Sequence, residues 1–225
     1  MSDITDIIAI DGPAGAGKSS AAKRVAQLLG MAYLDTGAMY RAATWYAIES
    51  GVNLDAPDAL VASTKAMNYE VFGGDGADQR IFVDGRDVTD AIRKPEVTRN
   101  IYKLDQNPSV RDRLVALQRE FGAKRPTVAE GRDIGTVVFP KAKCKIYLDA
   151  SLDERARRRA VQLQAAGIPV DMAALANEIN ERDRRDRTRQ TAPLRCPDDA
   201  VVLDTTHMRF DQVVQRIAEL ARGAL

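Results

Sequence analysis

The sequence has 225 residues, of which 45% are apolar and 29% are charged, and its net charge is +1. These values are typical of a globular chain with a sizeable core, and they exclude a strongly basic nucleic-acid binder. No apolar run approaches the ~20 residues of a membrane span. The acidic first residues are unlike a secretory signal, and the two cysteines form no disulfide or zinc pattern, so we expect a cytoplasmic protein without a membrane partner.

A phosphate-binding loop follows the first apolar run, which occupies residues 7–10 and ends at Asp11. The next residues match the pattern G-x-x-x-x-G-K-[ST] between a predicted strand and a predicted helix. The loop consists of Gly12, Pro13, Ala14, Gly15, Ala16, Gly17, Lys18, Ser19 and Ser20.

The residue types in this loop suit the binding of a nucleotide's phosphates. Its three glycines let successive amides point at one anion, and the following helix adds the positive end of its dipole. Lys18 would supply a charge for the outer phosphates, and the hydroxyl of Ser19 would bind Mg²⁺. We therefore expect a phosphate site with a magnesium ion.

Five short apolar runs, separated by helical stretches, each end at an acidic residue. The runs are residues 7–10, 31–34, 127–129, 145–148 and 200–203, and the acids are Asp11, Asp35, Glu130, Asp149 and Asp204. This alternation predicts a parallel sheet with helices on both faces and a ligand at the carboxyl ends of its strands. We expect Asp11, Asp149 and Asp204 to be helix N-caps. Asp35 and Glu130 are better candidates for a site.

The second helix is expected to begin near Thr36, a suitable N-cap, and to run to Glu49. Arg41 lies in its second turn, where the helix dipole does not favour a cation. Either an anion stabilises Arg41, or its side chain is solvated.

Residues from about 68 to 90 differ from the rest, because they alternate apolar and polar positions. Glycine-containing turns at 73–76 and 84–85 divide them into a small antiparallel sheet. This sheet would be an insert in a core formed by residues 1–67 and 91–225. Helices are expected over residues 93–105 and from Pro108 onward.

Arginines cluster in two further places. Arg132 and Asp133 follow the third run, in a Gly-Arg-Asp turn that can aim both charges at one ligand. Residues of about 152–190 begin and end with arginine-rich helical segments, in which Arg182, Asp186 and Arg189 share a face. They form either a lid over phosphates or a solvated, salt-bridged surface.

Taken together, these segments resemble bacterial cytidylate kinases over nearly the whole chain. The resemblance is carried by the phosphate loop and by the motifs LDTGAMYR at 34–41, EGRDIGTVVFP at 130–140, LDAS at 148–151 and RDxxDRxR at 182–189. It implies an α/β fold, a P-loop three-layer sandwich with a five-stranded parallel sheet, a small antiparallel β insert and a short helical lid. It also implies a monomeric kinase that transfers the γ-phosphoryl group of ATP to CMP or dCMP with Mg²⁺.

The resemblance also implies roles for individual residues that bind the acceptor. Arg41, Arg132 and Arg189 would hold the CMP phosphate. Arg111 and Asp133 would contact the cytosine, and Arg182 and Asp186 the sugar. Thr36 and Tyr40 complete the predicted substrate-binding set.

The catalytic set implied by the resemblance is Lys18, Arg132, Arg189 and Arg158, with other arginines of 155–159 near the transferring phosphoryl group. Ser19 would bind Mg²⁺, with Asp35 or Glu130 as a further ligand, directly or through water. The family usually has a small hydroxyl residue at the position of Tyr102, so the role of that position is open.

The sequence is also compatible, to different degrees, with three other functions. A P-loop kinase for UMP, AMP or another small acceptor has the same architecture and differs only in its acceptor pocket. A GTPase would need an Asn/Thr-Lys-x-Asp motif, and the most similar string, residues 102–105, begins with tyrosine. A nucleic-acid-binding module using residues 182–189 is disfavoured by the acids Asp183 and Asp186 and by the lack of aromatic residues there.

Overall fold

A computed structural model describes residues 6–72, 79–165 and 167–225. The acidic residues 1–5 and the glycine turn predicted at 73–76 lie outside the described residues. The strands of the main sheet are β1 (Ile7–Asp11), β2 (Ala32–Asp35), β6 (Thr127–Glu130), β7 (Cys144–Asp149) and β8 (Val201–Asp204). Those of the small sheet are β3 (Tyr69–Phe72), β4 (Arg80–Val83) and β5 (Arg86–Asp87).

The main sheet has five parallel strands in the order β2-β6-β1-β7-β8, as the apolar runs predict. The central strand β1 pairs with β6 on one side and β7 on the other, so that Ile8 lies between Val128 and Cys144. All five residues of β1 are buried. A continuous apolar strand is typical of a sheet that is covered on both faces.

Helices cover both faces of the sheet, as predicted. They are α1 (Lys18–Leu29), α2 (Thr36–Glu49), α3 (Pro57–Ala66), α4 (Pro95–Asp105), α5 (Pro108–Lys124), α6 (Leu152–Ala165), α7 (Met172–Thr188) and α8 (Phe210–Ala224). Ile8 and Ile10 pack with residues of α1 and α8, whereas Ile7 and Ala9 pack with residues of α2 to α5. Alternate side chains of β1 therefore enter separate cores on opposite faces.

The small sheet is antiparallel, in the order β3-β4-β5, as predicted for the insert. Ile81 and Val83 of β4 are buried in the same cluster as residues of α2. The other face of this strand is more exposed. The insert is thus anchored on the core by one apolar face.

The predicted helix N-caps, Asp11, Thr36, Asp149 and Asp204, are wrong. Asp35, not Thr36, caps α2, because its carboxylate accepts a 2.9 Å hydrogen bond from the Ala38 amide. The carboxylate of Asp11 accepts hydrogen bonds from the main-chain amides of Ile134 and Gly135. These two residues begin a π-helical turn at Ile134–Val138. The carboxylate of Asp149 binds the next amide along the chain, that of Ala150, and Asp204 binds Thr206. Each acid ends its own strand, and none of these three starts a following α-helix.

Among the described residues, no helix is both long and apolar enough to span a bilayer.

Candidate active site

The phosphate loop joins β1 to α1 and is shaped by two close backbone positions. Gly17 is the N-cap of α1 and has φ of 90°, a left-handed conformation that favours glycine. Gly12 lies so close to β7 that a Cβ atom there would overlap the main-chain oxygen of Leu148. The loop therefore holds amides at the start of a helix, which is a suitable place for a phosphate group.

Lys18 is buried at the first turn of α1. Its ammonium donates a 2.7 Å hydrogen bond to the main-chain oxygen of Pro13. Burial, followed by the nearby charge of Arg132, lowers the pKa of Lys18 to about 7. An anion in this loop would supply the counter-charge that the lysine lacks.

Oxygen atoms from two neighbouring strands meet beside Ser19. Its hydroxyl donates a 2.6 Å hydrogen bond to Oε1 of Glu130, at the end of β6. Burial and the adjacent charge of Asp35 raise the pKa of Glu130. A hydroxyl beside two carboxylates, those of Glu130 and Asp35, fits a hard divalent cation such as Mg²⁺. The predicted metal residues are therefore together.

An anionic side chain stabilises Arg41, which is one of the two alternatives predicted for this residue. Its Nη2 lies 2.7 Å from Oδ2 of Asp35. Burial opposes ionisation of Asp35, but the charge of Arg41 and the Ala38 amide outweigh it and hold the pKa of Asp35 below its usual value. The pair links the end of β2 to the second turn of α2.

A cavity of about 900 Å³ runs from the phosphate loop between α2, α4, α6 and α7. Nearly all of the predicted site residues line it, although they come from distant parts of the chain. They are Ala14, Gly15, Ala16, Gly17, Lys18, Ser19, Ser20, Asp35, Thr36, Tyr40, Arg41, Arg111, Glu130, Arg132, Asp133, Arg158, Arg182, Asp186 and Arg189. Gly12 and Pro13 of the loop lie outside this lining.

Arg132, which follows β6, forms an ion pair with Asp186 of α7, and both residues line the cavity. Nε of Arg132 lies 2.8 Å from Oδ2 of Asp186. Burial opposes ionisation of Asp186, but the charges of Arg132, Arg182 and Arg189 and the hydrogen bond from Arg132 together outweigh it and lower the pKa of Asp186. Burial, followed by repulsion from Arg132, lowers the pKa of Arg182. More positive than negative charge thus faces this part of the cavity, as the binding of a phosphate group requires.

Asp133 lies between two arginines that also line the cavity. Its Oδ2 binds Nη2 of Arg111, and its Oδ1 lies 3.6 Å from Nη2 of Arg189. The side chains of all three residues are less than 10% exposed. The cluster presents donors and acceptors in fixed positions, as recognition of one base edge requires.

The arginines of α6 differ in where they point. Arg158 lines the cavity, and it donates to the main-chain oxygens of Ala16 and Thr205. Arg155 does not line the cavity: it is buried below the loop, where it binds the carbonyl of Ala14 and the carboxylate of Asp183. The expectation that Arg155 faces the transferring phosphoryl group is therefore wrong, because its guanidinium is bound by protein groups.

The structure revises one expectation about α7 and answers an open question about α4. Arg189 lies beyond the end of α7 in an extended conformation, and it reaches the cavity from there rather than from the helical face of Arg182 and Asp186. Tyr102 is 37% exposed and does not line the cavity. Its ring packs below the guanidinium of Arg185 instead.

Sequence analysis missed several charged residues that line the cavity, among them Arg93 and Asp105. Asp105 lies seven residues after Thr98, which also lines the cavity, so both lie on one face of α4. Helical spacing within residues 93–105 was the signal that could have found it.

Comparisons with known proteins show similarity over nearly the whole chain. The family model for cytidylate kinase matches residues 8–223. A cytidylate kinase from Exiguobacterium sibiricum is 47% identical over 218 residues, which are 97% of each chain. One from Caldanaerobacter subterraneus is 43% identical over 222 residues, covering 99% of this chain and 97% of the relative.

A bifunctional pantoate ligase/cytidylate kinase from a Synechococcus species is 48% identical over 221 residues. The match covers 97% of this chain but only 41% of that relative, so this chain spans less than half of the bifunctional protein. The family match extends from β1 into α8 and includes every strand of both sheets. This chain belongs to the cytidylate kinase family.

Proposed function

We propose that this chain transfers the γ-phosphoryl group of ATP to the phosphate of CMP or dCMP, giving CDP or dCDP and ADP. The observation that carries this proposal is that Arg41, Arg132 and Arg189, which are far apart in sequence, line the same cavity as the phosphate loop. A donor nucleotide and an acceptor monophosphate can therefore face each other there. Membership of the family supports cytosine as the acceptor's base.

On the donor side, the loop amides of residues 15–20 and the start of α1 bind the phosphates of ATP. Lys18 exchanges its bond to the Pro13 oxygen for the outer phosphates and regains its full positive charge there. Arg158 adds a positive charge from α6, beside the same loop.

The residues beside Ser19 would hold Mg²⁺ with its hydroxyl and, directly or through water, with Asp35 or Glu130. Their oxygen atoms and burial suit that ion. When bound, Mg²⁺ supplies positive charge to the phosphates of ATP. Ser19 and Glu130 orient that site from two neighbouring elements, α1 and β6.

On the acceptor side, Arg41, Arg132 and Arg189 hold the phosphate of CMP, and Thr36 and Tyr40 line the path to it. Arg111 and Asp133 contact the cytosine, and Arg182 and Asp186 contact the sugar. The ion pair between Arg132 and Asp186 keeps Arg132 in place before the acceptor arrives.

The chemistry needs positioning and positive charge rather than a nucleophilic side chain. The acceptor phosphate is already anionic near neutral pH, so no strong base is required. Lys18, Arg132, Arg158 and Arg189 neutralise the charge that spreads over the transferring group. The helix pair α6–α7 excludes water by closing over the phosphates, so that ATP is not hydrolysed. We propose that the active form is a monomer, because one chain supplies all of these residues.

An acceptor panel tests the proposed function directly. The protein would be incubated with ATP and Mg²⁺ and with CMP, dCMP, UMP or AMP, and the diphosphates would be separated by chromatography. We expect CDP and dCDP to form fastest. Preferential formation of UDP would assign the chain to UMP. Consumption of AMP, with two ADP formed for each ATP used, would assign it to AMP.

A further inference from the structure

Helix α4 forms one wall of the cavity, and Tyr102 is not part of that wall. Thr98, Ile101 and Asp105 line it, at the spacing of one helical face. Tyr102, which stands where the family usually has a small hydroxyl, points away and packs against Arg185. Asp105 is therefore the charged group that α4 presents to the acceptor.

The carboxylate of Asp105 lacks a close donor. Its side chain is 17% exposed, and its Oδ2 lies 4.0 Å from Nη1 of Arg189, which is beyond hydrogen-bonding distance. Within the described ranges, no hydrogen bond reaches this carboxylate. A largely buried carboxylate without a donor is unfavourable, so a ligand that supplies one is stabilised there.

Asp105 is connected to the pair that is expected to contact the base. Its main-chain oxygen accepts a 3.1 Å hydrogen bond from Nη1 of Arg111, and Nη2 of the same guanidinium binds Asp133. Asp133 is already paired with Arg111, whereas the Asp105 carboxylate has no such partner. The open acceptor therefore lies beside Arg111 and Asp133, the pair proposed to contact the base, and borders Arg189 on its other side.

We propose that Asp105 accepts a hydrogen bond from the exocyclic amino group of the acceptor's nucleobase and is a specificity-determining residue for cytosine. This inference depends on the proposed function. Cytosine carries a donor at C4, whereas uracil carries a carbonyl oxygen there, which the carboxylate would repel. Burial raises the pKa of Asp105 to about 6, so the group is ionised and can accept at pH 8.

The test compares kcat/KM for CMP and UMP at pH 8 in the wild type and in Asp105→Asn. An asparagine amide keeps the size of the side chain but can turn its NH₂ group toward the uracil carbonyl. We expect the ratio of CMP to UMP efficiency to fall by roughly 10–100-fold. Tyr102→Phe, on the outer side of the same helix, is the matched control and should leave the ratio unchanged.

Other outcomes would overturn the inference. An equal loss for CMP and UMP would mean that Asp105 only positions Arg189, and a changed ratio of CMP to dCMP would mean that it contacts the sugar. Asp105→Ser gives a second variant should Asp105→Asn unfold, and a ratio preserved in the folded variant would also contradict the role. A wild type that does not phosphorylate CMP would instead contradict the proposed function.

Discussion

The carboxylate of Asp183, in α7, accepts a 2.9 Å hydrogen bond from the main-chain amide of Ala14 in the phosphate loop. Its other oxygen binds Arg155 of α6, which also donates to the carbonyl of Ala14. Ala14 itself packs with apolar residues of both helices. The helix pair is thus joined to the phosphate loop by one buried cluster of polar and apolar contacts.

The buried ion pair between Arg155 and Asp183 should stabilise the folded protein. Arg155→Met leaves Asp183 as a buried charge without its partner, which is expected to lower the free energy of unfolding by about 3–5 kcal/mol. Arg184→Met, which breaks an exposed pair with Glu181 in α7, is the control and should have little effect. Urea unfolding of the three proteins measures this, and equal stabilities would show that the buried pair does not hold the helices.

Lys18 should act on turnover more than on acceptor binding. Lys18→Ala removes a charge from the donor phosphates, so we expect kcat to fall by about 10²–10³-fold, while the affinity for CMP changes little. Steady-state kinetics with an equilibrium titration of CMP separates the two quantities. The control is Lys65→Ala, an exposed position of α3. An unchanged kcat would remove Lys18 from the mechanism.

The low pKa of Lys18 also predicts how stability depends on pH. Because that pKa falls from 10.5 to about 7 on folding, the folded state binds fewer protons than the unfolded state between these values. Stability without nucleotide should therefore rise with pH in this window, by about 1 kcal/mol per pH unit from pH 7 to 9. Lys18→Met should lose most of that slope in urea unfolding. The same slope in both proteins would mean that the lysine stays charged in the empty loop.

Arg132 should recognise the phosphate of the acceptor and not its base. Arg132→Ala removes a charge-assisted contact, and we expect CMP binding to weaken by about 10–100-fold. Cytidine, which lacks the phosphate, serves as the control ligand in the same calorimetric titration. A matching loss of cytidine affinity would place Arg132 at the nucleoside instead.

The elements with strong local patterns could be predicted from the sequence. The five apolar runs became the five strands, and the glycine-lysine pattern became the loop, because both depend on residues close together in the chain. The cavity also contains the three arginines that motif resemblance brought together, Arg41, Arg132 and Arg189.

Partners that lie far apart in sequence could not be predicted in the same way. Asp11 was expected to cap the next helix, but its carboxylate binds two amides more than 120 residues later. Asp183 belongs to a segment that was expected to form either a lid or a solvated surface, yet it is only 2% exposed beneath the phosphate loop. For a short acidic residue, the local sequence does not specify which distant amide or guanidinium the fold will bring to it.

The central claim is that one cleft holds a donor triphosphate and a cytosine monophosphate face to face. A compound that joins adenosine and cytidine through a chain of five phosphates tests it most directly, by calorimetric titration in competition with each substrate. We expect one site per chain, binding tighter than that of either nucleotide, and displacement of the compound by both ATP and CMP. Displacement by only one of them, or two independent sites, would contradict it.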